Sequence, residues 1–117
     1  MLQVKKNKYG RGVYTTKDIE KGVTFITNHL LLITEADRNG SLTLRRYDFS
    51  FPDQDFQSGI ALGLASLMNH SDTRPNADFD TMVDRRGLPV VKVTAIKKIK
   101  AGSEILVDYG YDPTEVK

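Results

Sequence analysis

Three short segments hold the residues best suited to chemistry. The first is Tyr9-Gly10-Arg11-Gly12. The second is Asn69-His70-Ser71, with Pro75-Asn76 close behind. The third runs Glu104-Ile105-Leu106-Val107-Asp108-Tyr109-Gly110. Asn69 carries donors and an acceptor, and a neutral His70 carries one of each, so the pair can read the polar edge of a purine. Gly10 and Gly12 flank a single arginine and let the backbone approach a ligand. With no third glycine and no following helix, they do not form a dinucleotide fingerprint. Tyr109 ends an apolar run and can bring its hydroxyl to the rim of a cavity. Each segment taken alone also has a plainer reading as a turn, a helix cap or a core tyrosine.

The elements that must position these residues are short. Alternation and β-branched residues predict strands over 12–15, 23–27, 29–34, 104–107 and in a hairpin of 77–83 with 90–95 around Arg85-Arg86-Gly87. Asn39-Gly40 reads as a hairpin turn, 42–51 as partly extended, and 52–57 as polar loop. The best helix candidate is 60–68, where Ile60, Leu64 and Leu67 share a face, although Gly63 weakens it. One internal echo stands out: 16–22 (TKDIEKG) and 95–102 (AIKKIKAG) both read as a strand end, a charged bend and a glycine. The pattern is mainly β, with many short strands and one short helix, which folds into small packed sheets or a barrel.

Bulk properties bound the answer further. The chain has 117 residues, enough for one domain and one core. Its hydrophobic fraction of 39% and charged fraction of 27% are those of an ordinary soluble protein. No apolar run approaches the roughly 18 residues of a membrane helix. The N-terminus lacks the apolar core of a secretory signal, which predicts an intracellular protein. Cysteine is absent and histidine is limited to His29 and His70, so disulfides and thiolate metal sites are excluded and no metal is expected. A formal charge of +2 is weak for a nucleic-acid partner.

Taken together, in this order, the three segments resemble SET-domain protein-lysine methyltransferases. The resemblance covers nearly the whole chain, residues 8–112. It implies a SET-domain β-clip fold of several short-stranded sheets, with a knot-like crossing that brings residues 69 and 109 together. It implies S-adenosylmethionine as cofactor, held by Tyr9, Gly10, Arg11, Gly12, Asn69 and His70. Tyr109 would be the catalytic tyrosine, with Tyr47 lining the lysine channel as a second catalytic candidate. Phe79, Val107 and Tyr111 would complete that channel, and phenylalanine at 79 would leave room for dimethylation or trimethylation. The substrate would be a protein or peptide with an accessible lysine, a histone tail being the first guess.

The chain departs from the family pattern in places. Ser103 stands where glutamate is frequent, and Leu67-Met68 where an aromatic residue often precedes the Asn-His pair. No cysteine-rich zinc module follows the domain, so one wall of the channel must come from Tyr111 and Pro113 or from a second copy in a homodimer. Two other readings stay open on sequence alone. One is a SET-fold binding module without activity. The other is a SAF-type β-clip domain, which 15–32 resembles.

Overall fold

β-Branched and alternating segments build most of the structure, a computed structural model that describes residues 1–8, 10–51 and 58–109. Strands β1 (Leu2–Asn7) and β2 (Gly10–Thr15) form an antiparallel hairpin, with Leu2 opposite Thr15 and Asn7 opposite Gly10. The other strands are β3 (Thr24–Ile33), β4 (Asp48–Ser50), β5 (Ser58–Ala61), β6 (Asn69–His70), β7 (Ala77–Val83), β8 (Pro89–Ala95) and β9 (Leu106–Val107). They lie in one sheet in the order β4-β5-β3-β8-β7-β9-β6. The β7–β8 hairpin has the expected turn and runs in register from Ala77 opposite Ala95 to Val83 opposite Pro89.

Four expectations need correction. The strands expected at 23–27 and 29–34 are one ten-residue strand, β3, with a register shift between Thr24 and Ile26. Asn39-Gly40 closes a helix instead of a hairpin. Thr34 accepts from the Asp37 N–H and Asp37 reaches back to the Thr34 N–H, a capping box that starts α1 (Glu35–Asn39), and Gly40 caps its end. Ser41 then caps α2 (Leu42–Tyr47), where an extended segment was expected. The helix expected over 60–68 is strand β5 followed by a single 3-10 turn, Leu64–Leu67. Ile60 is claimed from both sides, by Leu31 of β3 and Asp48 of β4, and a ladder between two neighbours outweighs weak local helix propensity. The loop expected at 52–57 lies outside the described residues.

The core lies between the concave face of the large sheet and the β1–β2 hairpin. Val13, Val91, Val93, Ile105 and Val107 have no solvent exposure. Each buried aliphatic side chain of this size contributes roughly 1.5–3 kcal/mol. The sheet curls enough to bring its first and fifth strands face to face. The Thr81 hydroxyl of β7 donates to the Ser50 carbonyl of β4 at 2.8 Å, and Phe79 meets Phe49 edge to face at 5.0 Å between centroids.

The two echoing segments pair with each other. The Ile19 N–H donates to the Ile99 carbonyl and the Ile99 N–H to the Ile19 carbonyl, both at 2.8 Å. The Gly22 N–H donates to the Ala95 carbonyl at 2.8 Å, and at the matching place the Gly102 N–H donates to the Thr15 carbonyl at 2.7 Å. Both glycines have φ near +88°, a conformation that glycine adopts without penalty. The repetition in sequence is therefore a local two-fold arrangement, and it fixes the place where the final segment, from Ser103 onward, enters the core.

Candidate functional site

β9 lies parallel to both β6 and β7 and sits between them. The connection 71–76 must therefore cross over β9, which makes the expected knot-like crossing. Asn76 holds it. Its Nδ2 donates to the Glu104 carbonyl at 2.8 Å, its Oδ1 accepts from the Leu106 N–H at 2.9 Å, and its own N–H donates to the Leu106 carbonyl at 2.9 Å. The buried side chain and the backbone N–H of one residue thus together supply partners to the Glu104 carbonyl and to both backbone groups of Leu106.

The crossing brings Asn69-His70 and Tyr109 together as expected. The Tyr109 N–H donates to His70 Nδ1 at 3.0 Å, so a neutral His70 ring carries its hydrogen on Nε2. The two rings lie 5.3 Å apart. Asp108 comes no closer than 3.8 Å to Nδ1, too far for a hydrogen bond. The Tyr109 hydroxyl donates to the Met68 carbonyl. That carbonyl is presented by the 3-10 turn, whose Ala65 N–H is anchored by Asn28 Oδ1 at 3.0 Å.

On one side of Tyr109 lies a cavity of about 310 Å³ walled by Tyr47, Phe49, Phe79 and Tyr109, with Arg46 and Ser66 among its other lining residues. Phe79 and Tyr109 stand edge to face at 6.5 Å. Tyr47 and Phe79 thus line the same cavity. Val107 does not. It has no exposure and faces the core together with Ile105, because strand alternation turns both away from the cavity. Tyr111 and Pro113 lie outside the described residues.

On the other side lies the β1–β2 hairpin. Asn69 Nδ2 donates to the Arg11 carbonyl at 2.9 Å and to Glu104 Oε2 at 2.6 Å. Residues 10–12 and 69–70 are thus joined, although 58 positions separate Arg11 from Asn69. The direction of Gly10 where a side chain would project is open, whereas that of Gly12 points into Glu104. Tyr9 lies outside the described residues.

Sequence reasoning missed Phe49 and Ser66, and it quoted Asn76 and Glu104 within their segments without giving either a role. Phe49 and Ser66 reach the cavity only because the sheet curls, and no local pattern encodes that. Asn76 had a signal, since a polar residue after proline in a loop between apolar strands often bonds backbone. Glu104 had one too, as an acid beside the fully buried Ile105.

A family model described as the SET domain matches residues 10–110. No curated protein matches the chain significantly. Among solved structures, a candidate histone methyltransferase of Plasmodium falciparum is similar, with a TM-score of 0.78 at 24% identity over 96% of this chain and 99% of that one. A humanized Polycomb Repressive Complex 2 of Chaetomium thermophilum, bound to an inhibitor, matches with a TM-score of 0.77 and 28% identity over 94% of this chain and 15% of that one. CpSET8 of Cryptosporidium matches with a TM-score of 0.72 and 24% identity over 95% of this chain and 58% of that one.

Proposed function

We propose that this chain, which belongs to the SET-domain family over residues 10–110, is an S-adenosylmethionine-dependent protein-lysine N-methyltransferase. The observation that carries the reading is the aromatic cavity lined by Tyr109, next to the crossing that joins residues 10–12 to Asn69-His70.

The residues present fit the cofactor. The Asn69 amide hydrogens are committed to Arg11 and Glu104, which turns Oδ1 the other way as an acceptor for a ligand N–H. The backbone of 10–12, with open space beside Gly10, and the polar edges of Asn69 and His70 would hold it. When bound, S-adenosylmethionine would supply a methyl group activated by a positively charged sulfur, for transfer to a lysine nitrogen.

The remaining work belongs to this chain. A free lysine, with a pKa near 10.4, is mostly charged at neutral pH. Loss of water on entering the cavity walled by Tyr47, Phe49 and Phe79 disfavours the ammonium, so the amine releases its proton to solvent before it reacts. The Tyr109 hydroxyl, fixed by donation to the Met68 carbonyl, offers an oxygen lone pair to an amine N–H and aims the nitrogen lone pair. The Met68 carbonyl adds a negative pole at the same place. Holding nucleophile and methyl group in line is the kind of positioning that accelerates such a transfer strongly. The acceptor is an intracellular protein lysine, with histone tails as the first candidates, since the similar Plasmodium falciparum protein is described as a histone methyltransferase.

The test is transfer of labelled methyl from S-adenosylmethionine to histones and to whole-cell extract, with Tyr109→Phe in parallel. Label on lysine that the variant loses supports the reading. Cofactor binding without transfer to any protein points to a binding module, and absence of cofactor binding overturns the reading.

A further inference from the structure

Glu104 sits on the polar side of the crossing and is not among the residues that line the cavity. Its backbone is fixed beside β2: the Ile105 N–H donates to the Val13 carbonyl at 2.7 Å, and Glu104 itself bridges to Tyr14. Its carboxylate Oε2 accepts from Asn69 Nδ2 at 2.6 Å and from Asn7 Nδ2 at 3.3 Å. A Cβ on Gly12 would stand 2.2 Å from that same oxygen, well inside van der Waals contact.

A side chain at position 12 would therefore displace the Glu104 carboxylate from its seat. Sequence reasoning ascribed the glycine to close approach of a ligand; the structure gives it a second reason. Asn69 is oriented by the same carboxylate. With a carbonyl and a carboxylate as its two nearest partners, the amide nitrogen must face them, and the bond to the charged partner is the shorter and stronger of the two.

We propose that Glu104 is the positioning residue of the cofactor cradle. Seated in the gap that Gly12 leaves, it clamps the Asn69 amide against the Arg11 carbonyl and so presents Asn69 Oδ1 to a ligand N–H. This inference rests on the cofactor reading above and adds to it the group that sets the cradle's geometry.

The experiment compares wild type with Glu104→Ala, Glu104→Gln, Gly12→Ala and the double variant Gly12→Ala/Glu104→Ala. S-adenosylmethionine affinity is read by calorimetry, KM and kcat by methyl transfer, and the thermal midpoint without cofactor. Glu104→Ala weakens cofactor binding about tenfold, the value of one hydrogen bond to a charged group. It raises KM for the cofactor while kcat at saturation holds, a split that mere loss of folded protein does not give. Glu104→Gln recovers most of the affinity, because its carbonyl oxygen still accepts from Asn69. Gly12→Ala lowers the thermal midpoint sharply in wild type and much less in the Glu104→Ala background.

Wild-type affinity in a folded Glu104→Ala protein overturns the positioning role. An equal cost of Gly12→Ala in both backgrounds overturns the seating of the carboxylate. A wild-type protein that binds no cofactor overturns the functional reading and the positioning role with it. The Gly12–Glu104 coupling, read from thermal midpoints alone, still stands or falls separately, so the two failures are distinguishable.

Discussion

The crossing has a polar side and an apolar side, and they are held together by different physics. Toward the β1–β2 hairpin, Asn69, Asn76 and Glu104 use hydrogen bonds at defined distances, several of them to backbone groups. Toward the cavity, Phe49, Phe79 and Tyr47 use ring faces and edges with no directional bond between them. Directional bonds fix where atoms sit, while aromatic walls fix how much room remains. Substitutions on the polar side should therefore act through position and stability. Those on the apolar side should act through the shape of what fits.

Tyr109 belongs to both sides and is where the comparison breaks most visibly. Tyr109→Phe keeps the ring and the N–H bond to His70 but loses the hydroxyl. The expected result is a fall in kcat on the order of 10²-fold, similar to removal of one preorganised polar group in other active sites, with cofactor affinity retained. Equal turnover by the two proteins would remove Tyr109 from the chemistry.

Next in size is Asn76→Ala. It strands the Leu106 N–H and the Glu104 carbonyl inside the crossing, at a cost of about 2–4 kcal/mol for two buried groups without partners. Urea denaturation measures it, and a loss below about 1 kcal/mol would mean that water or neighbouring backbone replaces the side chain.

Phe79→Tyr sharpens the apolar half. The added hydroxyl takes up room in the cavity, and the product should shift toward fewer methyl groups, with stability changed by less than about 1 kcal/mol. Mass spectrometry of the methylated peptide decides it; an unchanged product mixture would leave Phe79 as a packing residue only.

The smallest effect is expected far from the crossing, at the β7–β8 turn. The Leu88 N–H donating to Asp84, with Arg86 behind it, holds the Asp84 carboxyl below its ordinary value. A lowered folded-state pKa means that stability is present above the ordinary carboxylate pKa and is lost as pH falls through the lowered one. Asp84→Asn keeps acceptors for the turn and should slightly flatten acid denaturation below about pH 4. An identical acid limb in both proteins would show that this turn does not report on pH.

The same division explains what could be read from the chain. The β7–β8 hairpin follows from alternation, a local signal, whereas the resemblance put Val107 in the channel and the structure buries it. Asn69, His70 and Tyr109 are legible as a set because their order and spacing form a pattern. The 60–68 segment misleads, since its helical spacing is real but Ile60 is paired by strands that begin at Thr24 and Asp48. Asn39-Gly40 misleads for a related reason: the upstream capping box of Thr34 and Asp37 decides what the turn closes. Glu104 is hidden because its partners, Asn7, Gly12 and Asn69, lie up to 97 positions away, and no window of sequence contains them.

The Asn76 bridge also carries a consequence for the order of assembly. Two of its three bonds reach Leu106 and the third reaches Glu104, so nothing in the loop it closes can satisfy it earlier. The crossing therefore cannot lock until the chain beyond residue 104 has arrived between β6 and β7. A domain whose decisive contacts span this much sequence pays its loop-closure entropy before those contacts form. It should fold more slowly than a helical protein of equal length, with the polar side and the cavity side completed in the same final step.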